Sequence, residues 1–138
     1  MDGLEGYSVT VTVPVYNSSG FIDDCLDNLF KQTYDIFEAI FVVDKRTTDD
    51  SEEKLRKRSV QYNNIRIIIQ TDEKGLAGAR NIGIEEARGD IIWFLDVDDF
   101  PHPDFLKEHR KKDMQEAVHE LFWMWCEKYA ATDEDFYS

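Results

Sequence analysis

Gly89-Asp90-Ile91-Ile92-Trp93-Phe94-Leu95-Asp96-Val97-Asp98-Asp99 is the stretch whose reading decides the fold. Ile91 to Leu95 is a run of β-branched, aromatic and aliphatic side chains, opened by Gly89 and closed by charge, which predicts a fully buried strand. Three carboxylates then emerge together at its carboxyl end. In an open α/β sheet that edge is where ligands sit, and an Asp-x-Asp pair there offers hard oxygen ligands to a divalent cation. A solvated acidic turn would use the same residue types, so the flanking sequence has to decide.

Upstream, Val9, Val11, Val13 and Val15 alternate with Ser8, Thr10 and Thr12, the period of two that marks a strand over Tyr7 to Val15. Pro14 cannot donate to a sheet ladder, so the strand is expected to leave the sheet over Pro14-Val15-Tyr16-Asn17. A serine of Asn17-Ser18-Ser19-Gly20 can cap the following helix, whose Ile22, Cys25, Leu26, Leu29 and Phe30 recur at helical spacing. Phe37 to Val43 is almost continuously apolar, as a parallel strand covered on both faces requires. It ends in Asp44-Lys45-Arg46. Thr47, Thr48 and Asp49 can cap a charged, peripheral helix with a thin stripe through Leu55 and Tyr62.

Ile65 to Ile69 is a third strand, and Gly75-Leu76-Ala77-Gly78-Ala79-Arg80-Asn81-Ile82-Gly83-Ile84 opens a helix expected to end at Gly89. Its small residues at 75, 78, 79 and 83 permit close approach of backbone to ligand or sheet. Strands and helices thus alternate, which predicts a mostly parallel sheet with crossover helices. Downstream, Asp104 to about Val118 reads as a polar helix, and Leu121-Phe122-Trp123-Met124-Trp125-Cys126 as a fifth strand. Neither a repeat nor a low-complexity linker interrupts the chain, so residues 1–138 are expected to form a single domain.

With 16 basic against 29 acidic residues the chain carries a formal charge of −13, which argues against nucleic acid or an anionic membrane surface as main partner. An anionic ligand needs local help from a cation. Two cysteines, Cys25 and Cys126, lie in apolar surroundings, so buried free thiols in a reducing compartment are expected rather than a disulfide or zinc site. The absence of a 20-residue apolar stretch or a basic-then-apolar start gives a cytoplasmic expectation. A dinucleotide-binding domain fits poorly, because no Gly-x-Gly-x-x-Gly turn follows the first strand.

Val13-Pro14-Val15-Tyr16-Asn17, Gln32-Thr33-Tyr34, Val42-Val43-Asp44, Thr48-Asp49-Asp50-Ser51, the Gly75 to Gly83 segment, Arg88-Gly89-Asp90 and Phe94 to Asp99 together resemble the nucleotide-sugar half of family-2 inverting glycosyltransferases, in order and in spacing. The resemblance runs from about Ser8 to at least Leu106. It implies the GT-A fold, Rossmann-like with helices on both faces of the sheet, a nucleotide-sugar donor (usually a UDP-sugar), a saccharide or glycolipid acceptor, and Mg²⁺ or Mn²⁺ on the diphosphate. By position it makes Asp98 or Asp99 the direct metal ligand and Asp96 a ribose contact or a support for the ligands. Pro14, Tyr16 and Asn17 match the loop against the nucleotide, Asp44 the base-binding edge, and Arg80 a basic position reaching the nucleotide.

Each of these positions has a plainer reading. Asp44 could simply cap a turn, Arg80 could pair with Glu85 or Asp72, and Tyr16 could be an aromatic lid on the core. His102, His109 and His119 have no evident orienting partner and are left out of catalysis, and Trp123 and Trp125 are taken as core or interface. The chain also departs from the resemblance in two ways. Where the pattern usually reads Asp-Asp-Gly-Ser, this chain has Asp44-Lys45-Arg46-Thr47, so an acceptor for a base N–H becomes a donor of opposite charge. Lys45 and Arg46 could instead meet a phosphate or an acidic sugar. The acceptor-side region with its general base also has no counterpart, and Asp133, Glu134 and Asp135 do not replace it. The expectation is therefore a truncated donor-binding half, peripheral to a membrane in a longer parent, with a second copy able to cover the last strand. The rival expectation is a catalytically incomplete binding module.

Overall fold

The computed structural model describes residues 6–108. Its centre is β1 (Val9–Val15), with Val9, Val11, Val13 and Val15 on one face and Thr10, Thr12 and Pro14 on the other. On its two sides run β2 (Glu38–Asp44) and β4 (Ile91–Phe94), and β3 (Ile65–Gln70) lies outside β2. All pairings are parallel, in the order β3-β2-β1-β4. The register sets Val11 beside Ala39 and Trp93, and Thr12 beside Ile40 and Phe94. The α/β class, the parallel sheet and the alternation of elements are as the sequence predicts.

Each face carries its own core. The valine face packs against α1 (Ile22–Leu29), α2 (Ser51–Ser59) and α4 (Phe105–Glu108) through Ile22, Leu26, Leu29, Leu55 and Leu106, all fully buried. The threonine face meets α3 (Gly75–Glu86), where Ile40, Val42 and Ala79 form a smaller cluster with Ile68 and Ile82. Gly83 explains why that face of β1 carries threonines. A Cβ there would lie 2.8 Å from Thr12 Cγ2, so glycine on the helix and a small side chain on the strand let the backbones close together.

Four local expectations are corrected. β4 is not fully buried: Ile91 and Trp93 are covered on the valine face, while Ile92 and Phe94 are half-buried, because among the described residues no strand or helix completes the sheet beyond them. β1 does not leave the sheet at Pro14 but stays paired with β2 through Val15. Thr12 carbonyl accepts from Leu95 N on the β4 side, so Pro14, of the same parity, directs its missing donor to where β4 has already ended. No serine caps α1: a 3₁₀ turn (Ser19–Phe21) leads into it, and the Ser18 and Ser19 side chains bond instead to the Tyr16 carbonyl and to Asp50. Finally, α3 stops at Glu86 rather than Gly89. Arg88 N donates to Glu38 Oε2 at 2.6 Å and Gly89 N to Thr10 Oγ1 at 2.9 Å, which pulls the chain out of the helix.

Glu38 is the hub of that turn. Burial alone would raise its pKa, but bonds from Arg88 N, Thr10 and Arg66 outweigh it and hold the carboxyl below its usual value. The Gln32-Thr33-Tyr34 motif has a comparable fastening role. Gln32 Nε2 donates to the His102 carbonyl, its Oε1 accepts from Leu106 N, and Thr33 Oγ1 donates to Asp104, so the segment after the acidic cluster is tied to the end of α1. Trp93 stacks on Phe105 with centroids 5.1 Å apart. Cys25 is a buried free thiol, its pKa raised to about 12 by burial. The remainder of the polar helix beyond Glu108, the fifth strand with Cys126, Trp123 and Trp125, His109 and His119, and Asp133 to Asp135 lie outside the described residues. No helix among the described residues is long and apolar enough to cross a membrane.

Candidate functional site

β1, β2 and β3 follow one another outward across the sheet, whereas β4 returns to the other side of β1. Strand order therefore reverses between β1 and β4, and the loops after their carboxyl ends diverge to leave a crevice. A cleft of about 400 Å³ opens there, within the usual range for a small-molecule site. It is lined by Pro14 to Ser18 after β1, Asp44 and Arg46 after β2, Gln70 after β3, Gly75, Leu76 and Ala79 of α3, and Asp96 to Asp98 after β4.

Of the residues singled out in the sequence, Pro14, Tyr16, Asn17, Asp44, Asp96 and Asp98 line this cleft together. Asp99 does not. Its N–H closes a turn onto the Asp96 carbonyl at 3.0 Å, and its carboxylate is exposed outside the lining. Arg80 is also absent from the lining. Its buried guanidinium reaches Asp96 Oδ1 from α3 at 3.2 Å, and it meets the cleft by fixing that carboxylate.

Asn17 has a structural task inside the cleft wall. It adopts φ +45°, a left-handed conformation that asparagine tolerates better than most residues, and its Oδ1 accepts from Thr48 N at 2.8 Å and Asp49 N at 3.3 Å. Asp49 in turn accepts from Ser19 N and Ser51 N, and Ser51 Oγ accepts from Ser18 N. The loops after β1 and β2 are thereby stapled into one unit. Burial would raise the Asp49 pKa, but these serine bonds hold it below normal. On the opposite wall, Gln70 Nε2 spans Asp72 Oδ1 and the Gly75 carbonyl, and Gly75 turns into α3 at φ +65°. Leu76 and Phe21, both well exposed, add apolar surface to the lining.

Lys45 and Arg46 part company. Lys45 pairs with Glu73 at 3.6 Å, outside the lining, while Arg46 lies in it. Arg46 folds back on Asp44, with Nε 3.0 Å from Oδ1 and Nη2 2.7 Å from Oδ2, and its own backbone N–H also donates to Oδ1 at 2.8 Å. Those bonds hold Asp44 below the usual carboxylate range. The guanidinium also lies 5.9 Å from the centre of the Tyr16 ring. The run of charge after the strand signalled a polar edge, but only the backbone path separates the two cations.

The acidic wall can hold a hard cation in part. Asp98 is exposed and Asp96 lines the cleft with Oδ1 held by Arg80, yet among the described residues no three His, Cys, Asp or Glu side chains converge as a closed metal cage. Oxygen donors in so open a set fit Mg²⁺ or Mn²⁺, which complete their shells with waters and ligand phosphates. His102 Nδ1 accepts from Asp104 N at 3.0 Å, as a turn residue.

A sequence profile described as "Glycosyl transferase family 2" matches residues 10–125. Glycosyltransferase AglE of Haloferax volcanii is 39% identical over 100 residues, covering 72% of this chain and 33% of the relative. Glycosyltransferase GlyG of Streptococcus pneumoniae is 34% identical over 112 residues, covering 81% and 35%. Among solved structures, the mannosyltransferase PcManGT from Pyrobaculum calidifontis, in complex with GDP-Man and Mn²⁺, aligns with a TM-score of 0.63 at 27% identity over 71% of this chain and 30% of that one. S. aureus TarS 1–349 in complex with UDP aligns with a TM-score of 0.65 at 28% identity, over 82% and 32%. The chain thus spans about a third of the length of these two curated relatives.

Proposed function

The chain belongs to glycosyl transferase family 2, and from that membership we propose that it is the donor-binding part of an enzyme that moves a sugar from a nucleoside diphosphate to an acceptor hydroxyl with inversion. The observation that carries this reading is the layout of charge in the cleft. Asp96 and Asp98 line one end, Asp44 and Arg46 the other, and their strands lie on either side of β1. Two strand spacings are about 9–10 Å, roughly the length of a nucleoside. Among the described lining residues Arg46 is the single cation against three carboxylates, so a diphosphate enters only with a compensating metal.

In this reading Asp98, which unlike Asp99 lines the cleft, would hold Mg²⁺ or Mn²⁺, and Asp96, fixed by Arg80, supports it or receives the ribose. The bound ion supplies Lewis-acid neutralisation of the departing diphosphate. Pro14, Tyr16 and the stapled Asn17 loop form a rigid wall against the nucleoside, which sets the anomeric carbon toward the acceptor side. The general base comes from sequence outside the described residues or from the longer span of the relatives. The acceptor class, a saccharide or glycolipid, and a cytoplasmic site peripheral to a membrane belong to the same proposal. A metal-free binding module with this fold is the second reading, favoured by the open metal set and by the Lys45-Arg46 departure.

Calorimetric titration of UDP, GDP and CDP with and without Mn²⁺ separates the two. The donor-site reading expects binding that needs the metal and weakens about 10–100-fold in Asp98→Ala. Binding indifferent to Mn²⁺ and to Asp98→Ala would favour the module.

A further inference from the structure

We propose that Arg46 determines which nucleobase the cleft accepts, selecting a base with two adjacent acceptors over uracil. This rests on the donor-site reading above. Three facts of geometry carry it. Asp44, buried at the end of β2, accepts three hydrogen bonds from Arg46, two from its guanidinium and one from its backbone. A carboxylate has about four lone-pair sites, so little of Asp44 remains to accept a base N–H. Arg46 itself is only partly covered, with 45% of its side chain exposed in the cleft lining.

The clamp uses Nε–H and one N–H of Nη2. The guanidinium has five N–H donors in a fixed plane, and the other three make no hydrogen bond among the described residues. Its free edge therefore presents paired donors to whatever occupies the cleft, beside the exposed Tyr16 ring. Guanine N7 and O6, or cytosine N3 and O2, satisfy such a fork bidentately. Uracil sets N3–H between its two carbonyls, and that donor needs the acceptor Arg46 has masked. Lys45 takes no part, since it is drawn aside to Glu73.

The inference also gives Arg46 a reason for its position. Glycine, usual there in the pattern this loop resembles, would leave the Asp44 carboxylate open to the cleft. Arginine closes it and reverses the hydrogen-bonding sense of the edge from acceptor to donor.

The test is the titration of UDP, GDP and CDP, each with saturating Mn²⁺, into the chain and into Arg46→Gly, with Arg46→Gln as the second variant should glycine prevent folding. The expected result is that GDP or CDP binds at least about tenfold more tightly than UDP to the parent, and that the variant loses this preference or reverses it as Asp44 is freed. UDP bound as well as the others by the parent, or a ranking unchanged in the variant, overturns the role of Arg46 while metal-dependent binding leaves the donor site standing. A folded chain that binds none of the three with Mn²⁺ removes the donor site and this inference together.

Discussion

Asp44 and Arg46 stand two residues apart and share a hydrogen-bonded ring, in which the permanent charge of Arg46 favours the ionised form of Asp44. The Arg46 hydrogen bonds hold the Asp44 pKa down. A carboxyl whose folded-state pKa is depressed contributes stability that is fully present above the unfolded value of about 3.9 and is lost as pH falls through the lower folded-state value. Arg46 is open to water, so solvent screens much of this contribution. Urea melts of the parent and Arg46→Gly should therefore differ at neutral pH, with the difference shrinking as pH falls below about 3.9. A difference that persists unchanged in acid would show that Arg46 stabilises by packing on Tyr16 rather than by charge. The acid at 44 was legible in the sequence as a polar strand end. That its partner is Arg46 and not Lys45 was not, because both follow the strand and only the turn, closed by Thr47 N on the Asp44 carbonyl, assigns them to opposite sides.

At the level of elements, α3 shows what small residues are for. The sequence marks 75, 78, 79 and 83 as places of close approach without saying to what. Gly83 meets Thr12, and Gly78 meets Gln70 and Asp72, so the helix is set close to the sheet and to the loop that shapes the cleft wall. Thr12 lies on the central strand and cannot give way. Gly83→Ala should therefore destabilise the fold by about 1–3 kcal/mol despite the better helix propensity of alanine. Denaturant midpoints check this against Gly20→Ala, where a Cβ meets nothing within 4 Å. A midpoint for Gly83→Ala equal to or above the parent's would contradict the packing. Helix and strand identities were readable from periodicity alone, as the valine stripe of β1 and the Ile22 to Leu29 face of α1 show. The exact ends were not, because long-range bonds set them: Glu38 and Thr10 stop α3, and Asp50 takes up the Ser19 hydroxyl expected to cap.

Across the whole molecule, one topological fact places the site. β4 crosses back over β1, so the acidic turn after β4 and the Asp44 edge after β2 flank the loop after β1. Six candidate residues from three distant stretches of sequence meet there, and the order of strands, not any local motif, brings them together. Asp99 and Arg80 fall just behind the wall, a distinction of side-chain direction that residue spacing does not encode. The acidic surface that surrounds the site, a formal −13 for the chain, means that a divalent cation has many weak alternatives. Location, more than affinity, is the decisive question.

Mn²⁺ broadens nearby amide resonances, so substoichiometric Mn²⁺ added to the ¹⁵N-labelled chain with a saturating nucleoside diphosphate gives that location directly. The account predicts that Tyr16, Asn17 and Asp96 to Asp99 broaden first, while Phe37, Asn64 and Gly89, roughly a strand length (~20 Å) away, stay sharp. Broadening centred instead on the α1 and α2 acids Asp23, Asp27, Glu52 and Glu53, or spread evenly over the acidic surface, would contradict it.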